Sequence, residues 1–292
     1  MVWLITGASG QLGLAMSEKL ESRSIPFLAV NSEEMDITQE LFVDDFLHKH
    51  LPSVVVNCAA WTDVDGAEEN ENKAFEVNSL GPKYLASSSK KIGARLVQVS
   101  TDYVFSGESI SPIQENAETN PVSVYGRSKR DGERNVQEIY PEGTYVVRTA
   151  WLYSPNGKNF AKTMTNLALA SEAEVRVVSD QFGQPTSVGD LADQIIKLVW
   201  NESKFGIYHA TNSGETSWFH FAQEIFRLLE RDLTRVKSVK SSEFVRAAKR
   251  PRYSVLGHGA WDTVGLSEMR PWQLALQNEI PRILASVESE SK

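Results

Sequence analysis

Val2-Trp3-Leu4-Ile5-Thr6-Gly7-Ala8-Ser9-Gly10-Gln11-Leu12-Gly13 runs from four apolar residues into three glycines spaced Gly-x-x-Gly-x-x-Gly. The apolar run reads as a buried strand, and apolar residues then recur at helical spacing from Leu12 to Leu20. Gly7 permits a tight turn. Gly10 lets backbone approach a pyrophosphate, and Gly13 lets the helix sit close to the sheet. The helix N-terminus adds unpaired N–H groups and a partial positive charge. A glycine triplet alone is also what a plain structural turn contains. Strand, loop and helix in this order, at the head of a βα alternation, read as a dinucleotide cradle.

Working outward, Phe27-Leu28-Ala29-Val30, Val54-Val55-Val56, Leu96-Val97-Gln98-Val99 and Tyr145-Val146-Val147 are further strand candidates. Leu41 to His50 and Lys73 to Lys91 read as the helices between them. Apolar strands alternating with helices predict an α/β fold, a Rossmann-type doubly wound parallel sheet covered on both faces. After Trp151 the rhythm changes. Val175–Val178 and Ile207–Ala210 look like strands, Leu191–Trp200 and Trp218–Leu229 like helices, and Arg231 to Gly265 is irregular with a basic patch. The expected organisation is an NAD(P)-binding domain over 1–150 that resumes at 172–205. A smaller, interleaved C-terminal substrate-binding region then takes 151–171 and 206–292.

The chain has 292 residues, with 30 Lys+Arg against 38 Asp+Glu, a formal net charge of −8. So acidic a chain has no global electrostatic case for nucleic acid or an anionic membrane, although a local basic site remains open to it. Its one cysteine, Cys58, excludes an internal disulfide and a cysteine-based metal cluster. The five histidines show no metal spacing, so no metal is expected. No apolar run approaches the roughly 18–20 residues that span a bilayer, and a cytoplasmic location is the expectation.

Tyr125-Gly126-Arg127-Ser128-Lys129 places a phenol and an ammonium on one face of a predicted helix. An ammonium about 5 Å from a phenol, at an effective dielectric of about 20, favours the phenolate by roughly 3 kcal/mol, on the order of two pKa units. The pair is then an acid for a carbonyl oxygen. The third partner is expected at the end of the fourth strand, in Ser100-Thr101-Asp102. Thr101 is the choice for the hydroxyl on the substrate carbonyl, with Ser100 as the alternative. Asp102 reads as an acid that orients substrate or supports the tyrosine, or as a loop cap. Where an acid for the ribose 2′-hydroxyl is expected, the chain has Asn31-Ser32, which leans towards NADP(H) with NAD(H) as the alternative. Asp36 reads either as a group near the adenine or as an N-cap.

These motifs together resemble the dTDP-4-dehydrorhamnose reductase family of extended short-chain dehydrogenase/reductases, over nearly the whole chain. The glycine loop and the Tyr-Lys pair belong to the superfamily. More specific are Val56 to Asp65, Ser100-Thr101-Asp102-Tyr103-Val104-Phe105, Asn120 to Lys129, Val147 to Tyr153, Asp180 to Thr186 and Arg250-Pro251-Arg252-Tyr253-Ser254. Two positions depart from the family pattern: Trp61 replaces a more usual tyrosine, and Ser106 a more usual acid.

The resemblance implies stereospecific reduction at C4 of a dTDP-4-keto-6-deoxy sugar, with Thr101, Tyr125 and Lys129 catalytic. Cofactor contacts would come from Gly7, Ser9, Gly10, Gln11, Leu12, Asn31, Asp36, Ile37, Ala59, Ala60, Asn78, Tyr125 and Lys129. Thr101, Asp102, Trp151 and Arg250 would meet the nucleotide sugar, Trp151 by a flat face to the sugar ring and Arg250 at the diphosphate. A homodimer is the other partner left open. The competing reading is a non-catalytic NADP-binding relative resembling the regulatory subunit of methionine adenosyltransferase. An epimerase or dehydratase is a third. A dehydratase usually carries Asp-Glu after the threonine, where this chain has Asp102-Tyr103.

Overall fold

The fold is taken from a computed structural model that describes residues 1–170 and 172–290. Six parallel strands form the central sheet: β1 (Trp3–Thr6), β2 (Phe27–Val30), β3 (Val54–Asn57), β4 (Arg95–Thr101), β5 (Thr144–Thr149) and, further along the chain, Gly206–His209. Their order across the sheet is Gly206–His209, β5, β4, β3, β1, β2. The chain leaves β1 to one side for β2 and returns to the other side for β3. That reversal opens a crevice beyond the carboxyl ends of β1 and β3.

The strands are apolar throughout because both faces are covered. Trp3, Ile5, Val54 and Val56 point into one core with Leu12, Met16 and Leu20 of α1 (Gln11–Ser22) and the helix Val188–Trp200. Their neighbours Leu4 and Val55 point the opposite way, with Val43 and Leu47 of α2 (Glu40–His50). Period-two alternation along each strand therefore feeds two cores.

The predicted Lys73–Lys91 helix is two α-helices joined by a π-turn: α3 (Val64–Glu69) precedes α4 (Glu71–Phe75), the π-turn Glu76–Leu80 and α5 (Gly81–Ile92). α6 (Val124–Ile139) follows β4, with the Ser123 hydroxyl accepting from the Gly126 N–H at its start.

One expectation is corrected by the strand pairing. Val175–Val178 does not return to the central sheet. It pairs with Val236–Val239, inside the stretch expected to be irregular, and the sixth central strand is Gly206–His209. The reason lies in the alternation: Val175 and Val177 are buried while Arg176 is exposed, so this strand has one wet face. It closes a third core with Tyr153, Phe221, Phe226, Leu276 and Ile283. The helices Phe160–Ala170, Trp218–Leu228 and Trp272–Glu290 build that core. No helix among the described residues is long and apolar enough to cross a membrane.

Candidate active site

The carboxyl ends of β1, β3 and β4 are laced together below the crevice. The Thr6 hydroxyl donates to Asn57 Oδ1 at 2.6 Å, and Asn57 Nδ2 donates to Gln98 Oε1 at 2.8 Å. All three side chains are buried, so each polar group has its partner where water is excluded. Gly7 sits at φ 63°, and a Cβ there would lie 2.6 Å from the Ala59 nitrogen. Only glycine allows both the left-handed turn and this approach of β1 to β3. Gly10 caps α1 without any side-chain bond, leaving the first-turn amides for an anion.

A cavity of about 670 Å³ runs from this cradle across the ends of β3, β4 and β5. Gly7, Ser9, Gly10, Gln11, Leu12, Asp36, Ile37, Ala59, Ala60, Thr101, Asp102, Tyr125, Lys129 and Trp151 all line it. The uncapped helix start and the glycine approach fit a dinucleotide. Asp36 also accepts from the Thr38 N–H and hydroxyl at 2.9 and 2.8 Å, so it caps a local turn; the cap of α2 is Gln39.

Three expected residues stand outside the cavity wall. Asn31 closes a turn, its Oδ1 accepting from the Glu33 and Glu34 N–H groups at 2.8 and 3.2 Å. Asn78, on the π-turn, is buried and grips the backbone of Trp61, accepting from its N–H at 2.9 Å and donating to its carbonyl at 3.0 Å. It therefore fixes the strand-end loop behind Ala59 and Ala60. Arg250 forks onto Asp65 at 2.7 and 2.8 Å. That pair holds the Asp65 carboxyl below its usual range.

Tyr125 and Lys129 share the inner face of α6 as their spacing requires, but their electrostatics differ from expectation. Burial pushes the Tyr125 phenol up to about 12, against the pull of a hydrogen bond with Thr101. Burial also brings Lys129 down to about 8, and its ammonium donates to the Val99 carbonyl at 2.7 Å. The expected lowering of the tyrosine by Lys129 is thus not found, because desolvation of the phenolate dominates. Thr101 Oγ1 donates to Asp102 Oδ1 at 3.0 Å. Burial pushes the Asp102 carboxyl up to about 6, with the Ser254 and Thr101 hydroxyls pulling the other way.

Trp151 departs from its expected use. Trp218 stacks on it with ring centroids 3.5 Å apart and planes 13° from parallel. Gly183 also meets the indole: a Cβ there would be 2.6 Å from Cε2 but 2.9 Å from Nε1, so it approaches over the plane. Trp218 fills one face at stacking distance, which leaves the other to Gly183. The edge of Trp151 therefore meets the cavity, while Trp218 lines the cavity as well.

The family model described as the RmlD substrate binding domain matches residues 1–284. The chain belongs to this family. Among its RmlD-family relatives, the dTDP-4-dehydrorhamnose reductase of Streptomyces griseus is 46% identical over 96% of this chain and 93% of its own. The dTDP-4-keto-6-deoxy-D-glucose reductase of Streptomyces niveus is 43% identical over 97% of this chain and 98% of its own. The crystal structure of the Bacillus anthracis dTDP-4-dehydrorhamnose reductase in complex with NADP superposes with a TM-score of 0.92. It is 37% identical and covers 96% of this chain and 98% of that one. The resemblance drawn from the motifs is therefore to the right family, and the Rossmann-type fold stands with it.

Sequence reasoning missed several residues of this RmlD-family site. Trp218 and Lys158 line the cavity, and Asn57 and Gln98 lace its floor. Asn57 stands directly at the end of a β-branched run, a signal for a polar group at a sheet edge. Nothing in the local sequence marks Trp218, which reaches the site from a helix of the third core. Glu34 reaches back to accept from the Asn31 N–H at 3.0 Å, placing a carboxylate at the end of β2 that the strand itself lacks. Among the described residues, no group of three His, Cys, Asp or Glu could hold a metal ion.

Proposed function

We propose that the chain is an NAD(P)H-dependent oxidoreductase, with NADPH preferred and NADH usable. It reduces the C4 keto group of a dTDP-4-keto-6-deoxy sugar, converting dTDP-4-dehydrorhamnose to dTDP-L-rhamnose. The observation that carries this is one cavity joining the glycine cradle to Tyr125, Lys129 and Thr101. The relatives' reductase names and the NADP complex support the same reading. The reduced nicotinamide supplies a hydride when bound.

Gly7, Gly10 and the start of α1 hold the diphosphate of the cofactor, and Asp36, Ile37, Ala59 and Ala60 form the wall beside it. Tyr125, its phenol held neutral by burial, gives a proton to the oxygen of the reduced carbon. Lys129 fixes the strand end through Val99 and presents a positive charge beneath the reacting groups. Thr101 is the hydroxyl for the carbonyl. Arg250, positioned by Asp65, meets the diphosphate of the sugar nucleotide.

The test follows reduced-nicotinamide absorbance with purified protein, NADPH and enzymatically prepared dTDP-4-dehydrorhamnose. Turnover is expected, with a fall of at least about a thousandfold in Tyr125→Phe. NADPH that binds but is not consumed with this sugar overturns the reading in favour of a regulatory relative.

A further inference from the structure

We infer that Asp102 is a positioning residue whose acid form turns the Thr101 hydroxyl towards the substrate carbonyl and whose ionised form turns it away. This deepens the reductase reading and rests on it. A threonine hydroxyl has one proton to give and two lone pairs. Thr101 Oγ1 accepts from the Tyr103 N–H at 3.2 Å and lies 3.0 Å from Asp102 Oδ1, with Tyr125 beside it in the cavity wall. With Asp102 ionised, the single Thr101 proton belongs to Oδ1. One lone pair takes the Tyr103 N–H, and no proton remains for a carbonyl. With Asp102 protonated, the acid donates to Thr101, and the Thr101 proton is free to point into the cavity.

A second observation favours the acid form. Asp102 is 2% exposed, and its Oδ2 has no donor at hydrogen-bond geometry among the described residues, although the Ser254 hydroxyl is near enough to pull on the carboxyl. A buried carboxylate oxygen without a donor carries the desolvation cost of a charge, whereas a neutral carboxyl carries far less. The upward shift of this carboxyl by burial agrees with that. Of the charged and titratable neighbours, Lys129 donates to the Val99 carbonyl and Arg250 forks onto Asp65, while Tyr103 and Tyr125 are phenols that burial keeps neutral.

No bond is made or broken at Asp102 in this scheme; only the direction of one hydrogen bond changes. The step it serves is the proton transfer from Tyr125 to the reduced oxygen, during which Thr101 must donate to that oxygen as charge develops. One such donor is worth about a hundredfold or more in kcat.

The experiment is the pH profile of kcat at saturating NADPH and nucleotide sugar for wild type, Asp102→Asn and Thr101→Val. In the wild type, kcat falls as pH rises above about 6, or above a higher onset once the bound diphosphate adds negative charge. Asparagine keeps an N–H donor to Thr101 and cannot ionise. Asp102→Asn therefore holds its low-pH kcat up to about 7, above which Lys129 titrates. Thr101→Val is slow at every pH and lacks the Asp102 limb. A wild type with no fall between pH 6 and 8 overturns the inference, as does the same limb persisting in Asp102→Asn. A wild type that never turns over would instead overturn the reductase reading.

Discussion

Replacing Asp102 by asparagine also tests its buried acid through stability, without any substrate. Burial pushes the folded carboxyl up to about 6, from a reference of 3.8. The folded state therefore binds this proton more tightly than the unfolded chain. The group's contribution to stability is intact below the unfolded value and is lost as pH rises through the folded one. A shift of about two units is worth about 3 kcal/mol, of which about 1.4 kcal/mol falls between pH 5 and pH 8. Asparagine has no ionisation, so the other titrating groups cancel when wild type and Asp102→Asn are subtracted. Urea unfolding followed by tryptophan fluorescence across that range gives the difference. The expected result is a variant that gains about 1.4 kcal/mol on the wild type from pH 5 to 8. A constant difference would mean that Asp102 ionises in the ordinary carboxylate range while folded. The hydrogen-bond accounting at Thr101 would then fail with it.

Gly7→Ala forces a Cβ to within 2.6 Å of the Ala59 nitrogen at a left-handed φ. It is expected to cost about 1–3 kcal/mol of stability and to weaken NADPH binding at least tenfold by fluorescence titration; unchanged affinity would place the cofactor elsewhere. Glu34→Gln removes the carboxylate that stands at the end of β2. For charges about 7 Å apart in water each pair is worth about 0.6 kcal/mol; a 2′-phosphate carrying about −1.5 makes that about 0.9 kcal/mol, so the kcat/KM ratio of NADPH over NADH should rise about fivefold. Trp218→Leu breaks the stack that backs Trp151, worth about 0.5–1.5 kcal/mol. It is expected to raise the KM for the nucleotide sugar up to about tenfold while NADPH affinity holds, and an unchanged KM would reduce Trp218 to packing alone.

What the chain made legible was whatever its chemistry required of neighbours in sequence. The glycine cradle was readable because a left-handed turn, an uncapped helix start and a close strand approach all fall within seven residues, from Gly7 to Gly13. Tyr125 and Lys129 were readable as one face because a helix fixes their spacing. The direction of the ammonium was not, because its acceptor is the Val99 carbonyl on a strand that precedes the helix. The same distinction separates the two four-residue strands that were exchanged between domains. Val175–Val178 alternates Val-Arg-Val, and that wet face was visible in the sequence but was outweighed by the expected βα rhythm. Gly206–His209 looked no more central, and only its pairing with β5 made it so. Trp151 is the sharper case. A flat aromatic face beside a sugar is a sound expectation from residue type, yet whether a face is free depends on Trp218 and Gly183, both distant in the chain. Residue type therefore named the chemistry at each position, and long-range packing decided which atom of the residue could perform it. Asp102 shows both halves at once: its adjacency to Thr101 was plain in the sequence, and the burial that pushes its carboxyl up is a property of the folded crevice alone.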